Sequence, residues 1–251
     1  MQPDFYTAPP TYERYLKKLQ SLKKAYPFLQ LSSVGQSLCG RQLYAVSLGA
    51  PNPCTLFAGG FHAQEWLTVQ LLLRFTEDLA EAWQQGKALA GVRIGADLNQ
   101  RGLTILPMVN PDGISIALEG AASAGRYADT AARIQAANPA LWQANARGVD
   151  LNHNFDAGFA QLRAMEQEQG IDPLPGNMAA CLPTASRKAV QLSAFFEAAG
   201  WKPSMPSIPR GRKFSGNMGS GRLPGAVIWP KCSVRRAATG WGETPGWFPM
   251  G

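Results

Sequence analysis

Histidine is scarce in this chain of 251 residues: there are two, His62 and His153. No metal site here can draw on three imidazoles. Acidic residues are nearly absent from the C-terminal third. Residues 176–251 hold two, Glu197 and Glu243, against ten Lys and Arg, whereas residues 1–175 hold 15 against 14. The formal net charge of +7 therefore comes wholly from the last third, which argues against a nucleic-acid-binding domain with a basic face of its own. The four cysteines, Cys39, Cys54, Cys181 and Cys232, show no paired metal-ligand spacing. No run approaches the ~18 apolar residues that suggest a membrane-spanning helix. Met1-Gln2-Pro3-Asp4-Phe5 has neither the basic start nor the apolar core of a secretory leader. A cytoplasmic location with free thiols is expected on that ground.

What is present is a globular composition, 45% hydrophobic, in a length that suits one large α/β domain. Tyr12, Tyr15, Leu16, Leu19 and Leu22 repeat at helical spacing. Lys17, Lys18, Lys23 and Lys24 lie among them as a solvated face, and Pro27 ends the helix. Leu29 to Val34 and Gln42 to Leu48 read as strands around a Gly35–Gly40 turn. The Pro-rich loop 49–53 leads to a third strand, Cys54 to Ala58. A helix is predicted from Glu65 to about Trp83, closed by Gln84-Gln85-Gly86. Leu103 to Val109 fits a strand buried on both faces, with Pro107 marking an edge or a bulge. Asn110-Pro111-Asp112-Gly113 is a turn signal, in which Asp112 and Gly113 are structural. Further helices are predicted over Tyr127–Ala137 and Ala160–Gln169. Alternating strands and helices predict an α/β sheet protein.

The chemistry gathers at Gly59-Gly60-Phe61-His62-Ala63-Gln64-Glu65-Trp66, where a buried strand hands over to a helix. Sites in α/β folds are built on that edge. An imidazole and a carboxylate three residues apart can reach one metal ion from the first turn of a helix, and zinc takes such N and O donors. The plain alternative is a helix N-terminal pair with no metal.

Two later segments accompany this one. They are Val109-Asn110-Pro111-Asp112-Gly113 and Arg147-Gly148-Val149-Asp150-Leu151-Asn152-His153-Asn154-Phe155-Asp156-Ala157-Gly158-Phe159. The three, in this order, resemble the zinc carboxypeptidases of peptidase family M14, from near Tyr12 to about Asp172. The resemblance implies a carboxypeptidase-like mixed sheet flanked by helices, with the C-terminal part of the fold missing or disordered. It implies zinc held by His62 and Glu65, a third histidine ligand, and a later glutamate as general base that shuttles the proton of a zinc-activated water. Neither of the last two has a counterpart here. His153 already fills another motif position, and Glu243, the one acidic residue in the last fifty, stands in a non-matching Gly242-Glu243-Thr244-Pro245. Asn152 and His153 match the position where many members carry Asn-Arg to clamp a substrate carboxylate, and imidazole cannot form that fork. Asn-His-Asn-Phe-Asp-Ala-Gly-Phe looks more like the bacterial branch that cleaves γ-D-glutamyl–diaminopimelate bonds in cell-wall peptides. The family's oxyanion-stabilising Arg after a Trp is replaced by Gln143 after Trp142, and Arg147 is the candidate to take its role. Asp150 supports a ligand or the turn, while Asp156 fits a structural or a functional role. A peptide is the implied partner.

From about Gly176 the text turns rich in Gly, Pro, Arg and Ser, and periodicity is lost. One reading is a disordered basic tail. The other is a change of reading frame near residues 172–177. In the neighbouring frame Asn177–Val190 can encode Y-G-G-M-P-S-N-S-E-P-E-S-R-A. Ser207–Ser220 can encode H-S-Q-G-E-E-I-F-W-Q-Y-G-E, and Pro224–Ser233 can encode R-S-R-D-M-A-K-M-F. The first two strings resemble later segments of the bacterial branch, and the histidine of the second stands where the third zinc ligand belongs. The expected division is thus an incomplete peptidase-like domain over 1–175 and an out-of-frame tail over 176–251. On this reading the chain is either a zinc peptidase of doubtful competence or a non-catalytic remnant.

Overall fold

The computed structural model describes residues 4–51, 54–137, 142–152, 159–168 and 227–228. His153, Asp156, Cys181, Cys232, Glu243 and nearly all of the 176–251 tail lie outside the described residues.

Helix α1 (Tyr12–Ala25) starts where the Thr11 side chain accepts the Arg14 N–H. It buries Tyr15, Leu19 and Leu22, spaced along one face as the sequence predicts. Strands β1 (Gln30–Gln36) and β2 (Gln42–Leu48) form an antiparallel hairpin whose register shifts between Ser33 and Gly35. Strand β3 (Cys54–Ala58) leads through a 3-10 turn, Ala63–Glu65, into α2 (Leu67–Gln84). A two-stranded ribbon, β4 (Ala88–Leu89) and β5 (Val92–Arg93), and a short helix α3 (Ile94–Gln100) come next. Strand β6 (Gly102–Leu106) then enters between β2 and β3, antiparallel to the first and parallel to the second. Helices α4 (Pro111–Glu119), α5 (Ala128–Ala137) and α6 (Phe159–Glu168) follow. Val227–Ile228, strand β7, pairs antiparallel with Phe57 and Ala58 of β3. The main sheet is therefore mixed, in the order β1-β2-β6-β3-β7.

Its two faces follow the alternation of the strands. Tyr44, Val46, Leu48 and Ile105 pack with Leu19 and Leu22 of α1, Leu72, Leu73 and Leu79 of α2 and Leu98 of α3. Ala45, Leu56, Ala58 and Leu106 face the other way, with Val109 and Leu151. Each fully buried aliphatic side chain contributes roughly 1.5–3 kcal/mol. Among the described residues, no helix is long and apolar enough to cross a membrane. Cys54 is a buried free thiol, and Cys39 Sγ donates to the Ala124 carbonyl at 3.2 Å.

Three expectations need correcting, and two elements went unread. Asn110-Pro111-Asp112-Gly113 is the start of α4 rather than a turn. Asn110 accepts the Gly113 N–H as N-cap, and Pro111 takes the first helical position, where its missing N–H costs nothing. β6 ends at Leu106, one residue before Pro107, so the proline terminates a central strand instead of marking an edge. The helix read from Glu65 is divided: Ala63–Glu65 is 3-10 and the α-helix starts at Leu67. The ribbon and α3 escaped the sequence reading, because both are too short to show a period.

Candidate metal centre

The site starts with two glycines. Gly60 has φ +65°, and a Cβ on it would stand 3.0 Å from Val69 Cγ2 and 3.3 Å from Ile114 Cδ1. A Cβ on Gly59 would stand 2.7 Å from Leu72 Cδ1. The chain leaving β3 can therefore press directly onto the first turns of α2 and α4 only if both residues lack side chains. Thr68 fastens the turn from the helix side: its Oγ1 accepts the Gly60 N–H at 2.8 Å and donates to the Glu65 carbonyl at 2.8 Å. His62 and Glu65 thereby emerge on the same side of the 3-10 turn.

His62 Nδ1 and Glu65 Oε1 are 3.0 Å apart. Behind the ring, Nε2 faces Asp150 Oδ1 at 3.5 Å, a separation of ionic attraction rather than of hydrogen bonding. Nε2 is buried and has no hydrogen-bond partner among the described residues. Asp150 is itself held in place, because its Oδ1 accepts the Asn152 N–H at 2.9 Å. Burial disfavours the imidazolium, but the carboxylates of Asp150 and Glu65 outweigh it and push the ring pKa up to about 10. The ring is thus oriented with Nδ1 toward Glu65 and Nε2 toward a buried acid, the carboxylate–histidine arrangement that also orients a metal-bound imidazole.

The donor pair suits a metal ion. A tetrahedral zinc with N and O donors at ordinary bond lengths spaces two of them roughly 3.3 Å apart. Glu65, with 42% of its side chain exposed, has room for that adjustment. The set is nevertheless incomplete: among the described residues no three His, Cys, Asp or Glu side chains converge on one point. The residues present fit two positions of a zinc shell and do not close it.

The expected substrate residues fall around Asp150. Arg147 is exposed, with its N–H donated to Asn145 Oδ1. Asn152 is partly buried and uses its own N–H to hold Asp150. His153 lies outside the described residues. A pocket of about 440 Å³ lined by Ser37, Cys39 and Arg126 includes neither metal donor.

Sequence reading missed three residues that build the site. Asn110, fully buried, donates from Nδ2 to the carbonyls of Phe61 and Ala144, both at 3.0 Å. Asn145, also fully buried, accepts the Arg147 and Val149 N–H groups and so shapes the loop that carries Asp150. Asp112 is a buried anchor rather than a turn residue. It accepts from Ser37 Oγ at 2.6 Å, Arg41 Nη1 at 3.0 Å and the Cys39 N–H at 3.2 Å. An Asn directly before Pro signals a helix cap, which could have exposed the first; the other two depend on partners distant in sequence.

The family model described as zinc carboxypeptidase, Peptidase_M14, matches residues 15–178. The chain is 32% identical over 148 residues to gamma-D-glutamyl-L-diamino acid endopeptidase 1 of Lysinibacillus sphaericus, covering 58% of this chain and 37% of that protein. It is 28% identical over 143 residues to protein YqgT of Bacillus subtilis, covering 55% and 38%. The chain thus spans little more than a third of these relatives. The carboxypeptidase A structure from Helicoverpa armigera superposes with a TM-score of 0.51 at 18% identity, over 76% of this chain and 43% of that one, a likeness of fold. On the match to residues 15–178, this chain belongs to the zinc carboxypeptidase family.

Proposed function

We propose that the fold is that of a zinc metallopeptidase hydrolysing γ-D-glutamyl–diaminopimelate bonds of cell-wall peptides. The observation that carries this reading is the His62 Nδ1–Glu65 Oε1 pair at 3.0 Å with Asp150 behind the ring. The name of the Lysinibacillus relative supports the choice of bond. Zinc, when bound with a complete ligand set, supplies an activated water for attack on the peptide carbonyl. In this reading His62 and Glu65 hold the metal, Asp150 orients the ring, and Asn152, His153 and Arg147 receive the peptide. A reducing, cytoplasmic compartment belongs to the same proposal, and the free thiol of Cys54 accords with it.

A second reading concerns the polypeptide as written. With two histidines in the chain and one acidic residue in its last fifty, neither a third imidazole ligand nor the family's general base has a counterpart. We therefore propose that this form is a non-catalytic remnant produced by a frame change near residues 172–177, with residues 176–251 out of frame. The deciding experiment is to sequence the coding DNA across codons 165–220 and express the frame-restored protein beside the present one. The restored protein is expected to bind zinc and to cleave a γ-D-glutamyl–diaminopimelate peptide, and the present chain to do neither. Hydrolysis by the present chain would refute the remnant. Absence of the encoded strings from the neighbouring frame would refute the frame change. A restored enzyme that cleaves only ordinary C-terminal residues would refute the choice of substrate.

A further inference from the structure

We infer that Asn110 is a positioning residue that sets the relation of His62 to Asp150 by bridging the two loops that carry them. Its side chain is fully buried and divides its bonding between three segments. Oδ1 accepts the Gly113 N–H, which fixes the side chain to the start of α4. Nδ2 donates one proton to the carbonyl of Phe61, the residue before His62, and the other to Ala144, at the start of the loop that leads to Asp150. The backbone adds to the bridge: the Asn110 N–H donates to the Gly60 carbonyl, and the Ala63 N–H donates to Gln143. Gly113 is what lets the amide reach this place, since a Cβ there would stand 2.3 Å from the Ala144 oxygen and 2.4 Å from Asn110 Nδ2. Asparagine alone among the common helix caps offers two amide protons together with an acceptor. A serine or aspartate would cap α4 but offer neither carbonyl an amide proton. The buried Nε2 of His62, 3.5 Å from Asp150, is the atom whose surroundings this bridge controls.

The consequence for metal binding rests on the function proposed above, but the test does not, because it reads the ring without hydrolysis. The ¹⁵N shifts of both His62 ring nitrogens are measured at fixed pH in the metal-free full chain, with His153→Gln identifying the signals. In the parent chain they are expected to differ from those of the urea-unfolded chain. In Asn110→Ala they are expected to move most of the way to the unfolded values while circular dichroism stays native. Asn110→Asp, which keeps an acceptor for Gly113 and offers no amide donor, is expected to do the same, and it decides the matter if Asn110→Ala does not fold. Leu79→Ala, a core change in α2, is expected to lower the melting temperature and leave the ring shifts in place. Unchanged His62 shifts in a folded Asn110 variant would overturn the inference, as would an equal change in Leu79→Ala. Failure of both Asn110 variants to fold would also overturn it, because Asn110 would then determine the fold rather than position a side chain.

Discussion

Asp112 offers the sharpest test of what holds the site's surroundings together. Its carboxylate is fully buried and serves Ser37, Cys39 and the Arg41 guanidinium, whose side chain is 18% exposed. Replacing Asp112 with Ala leaves a mostly buried cation without its counter-ion, which costs about 3–5 kcal/mol. It also strands the Ser37 hydroxyl and the Cys39 N–H, each a loss of about 1–3 kcal/mol taken separately. These losses overlap, because the same relaxation that lets water reach Arg41 also reaches Ser37. About 4 kcal/mol is therefore the expected total, a large part of the roughly 5–15 kcal/mol that holds a typical domain. Asp112→Asn keeps an acceptor for Ser37 or Cys39 and is expected to cost about 2 kcal/mol. Urea unfolding at pH 7 measures both, with an unchanged slope confirming that the folded and unfolded states stay comparable. A double-mutant cycle with Arg41→Ala should give a coupling of about 1–3 kcal/mol. The exposed Glu13–Lys17 pair, 76% and 55% accessible, should give a far smaller coupling, because solvent screens it. Asp112→Ala costing less than about 1 kcal/mol, or a coupling no larger than that of Glu13–Lys17, would refute the reasoning.

Other consequences can be measured on the same chain. Gly60→Ala should destabilise it by about 1–3 kcal/mol in urea, since φ +65° disfavours a side chain and Val69 stands 3.0 Å from the new Cβ; a neutral result would mean that the turn is looser than described. Burial opposes the Glu77 carboxylate, yet hydrogen bonds from Lys18 and Tyr6 win and hold its pKa below the ordinary 4.5. A depressed carboxylate stabilises the fold above its unfolded pKa and loses that contribution as pH falls through the folded one. The melting temperature of the parent should therefore drop more steeply below pH 4.5 than that of Glu77→Gln, and parallel acid limbs would count against it. With two donors in place of a closed shell, 0.1 mM zinc should add less than about 0.1 kcal/mol if the site binds no tighter than roughly 1 mM. A melting shift above about 2 °C on adding that zinc would show a ligand set that two residues do not provide.

Legibility in the sequence followed the range of the interactions. The face of α1 could be read from Tyr15, Leu19 and Leu22, because helical packing repeats locally. The placement of His62 and Glu65 could be read because β3 and α2 are regular on either side of them. Asp150 fills both roles open to it, since its Oδ1 accepts the Asn152 N–H in the turn and lies 3.5 Å from His62 Nε2. Pro107 misled because a proline inside an apolar run signals an edge, whereas here the run simply outlasts the strand. Asn110 and Asp112 looked like turn residues because their short-range chemistry is that of a turn. Their partners, Phe61, Ala144, Ser37 and Arg41, lie too far along the chain for any local pattern to show them.

Those long spans have a kinetic meaning. The bonds that frame the site join residues 34 (Ala144 to Asn110), 49 (Asn110 to Phe61), 71 (Arg41 to Asp112) and 75 (Ser37 to Asp112) positions apart. Each requires a loop of that length to close before it returns any energy, so the site belongs to the slow, non-local part of folding. A nascent chain that has emerged only as far as Gln100 already contains both candidate metal donors, His62 and Glu65, but neither Asn110 nor Asp150. Until the chain reaches Leu151, Thr68 can fasten the turn that carries the pair, but the loop that faces the buried ring nitrogen is missing.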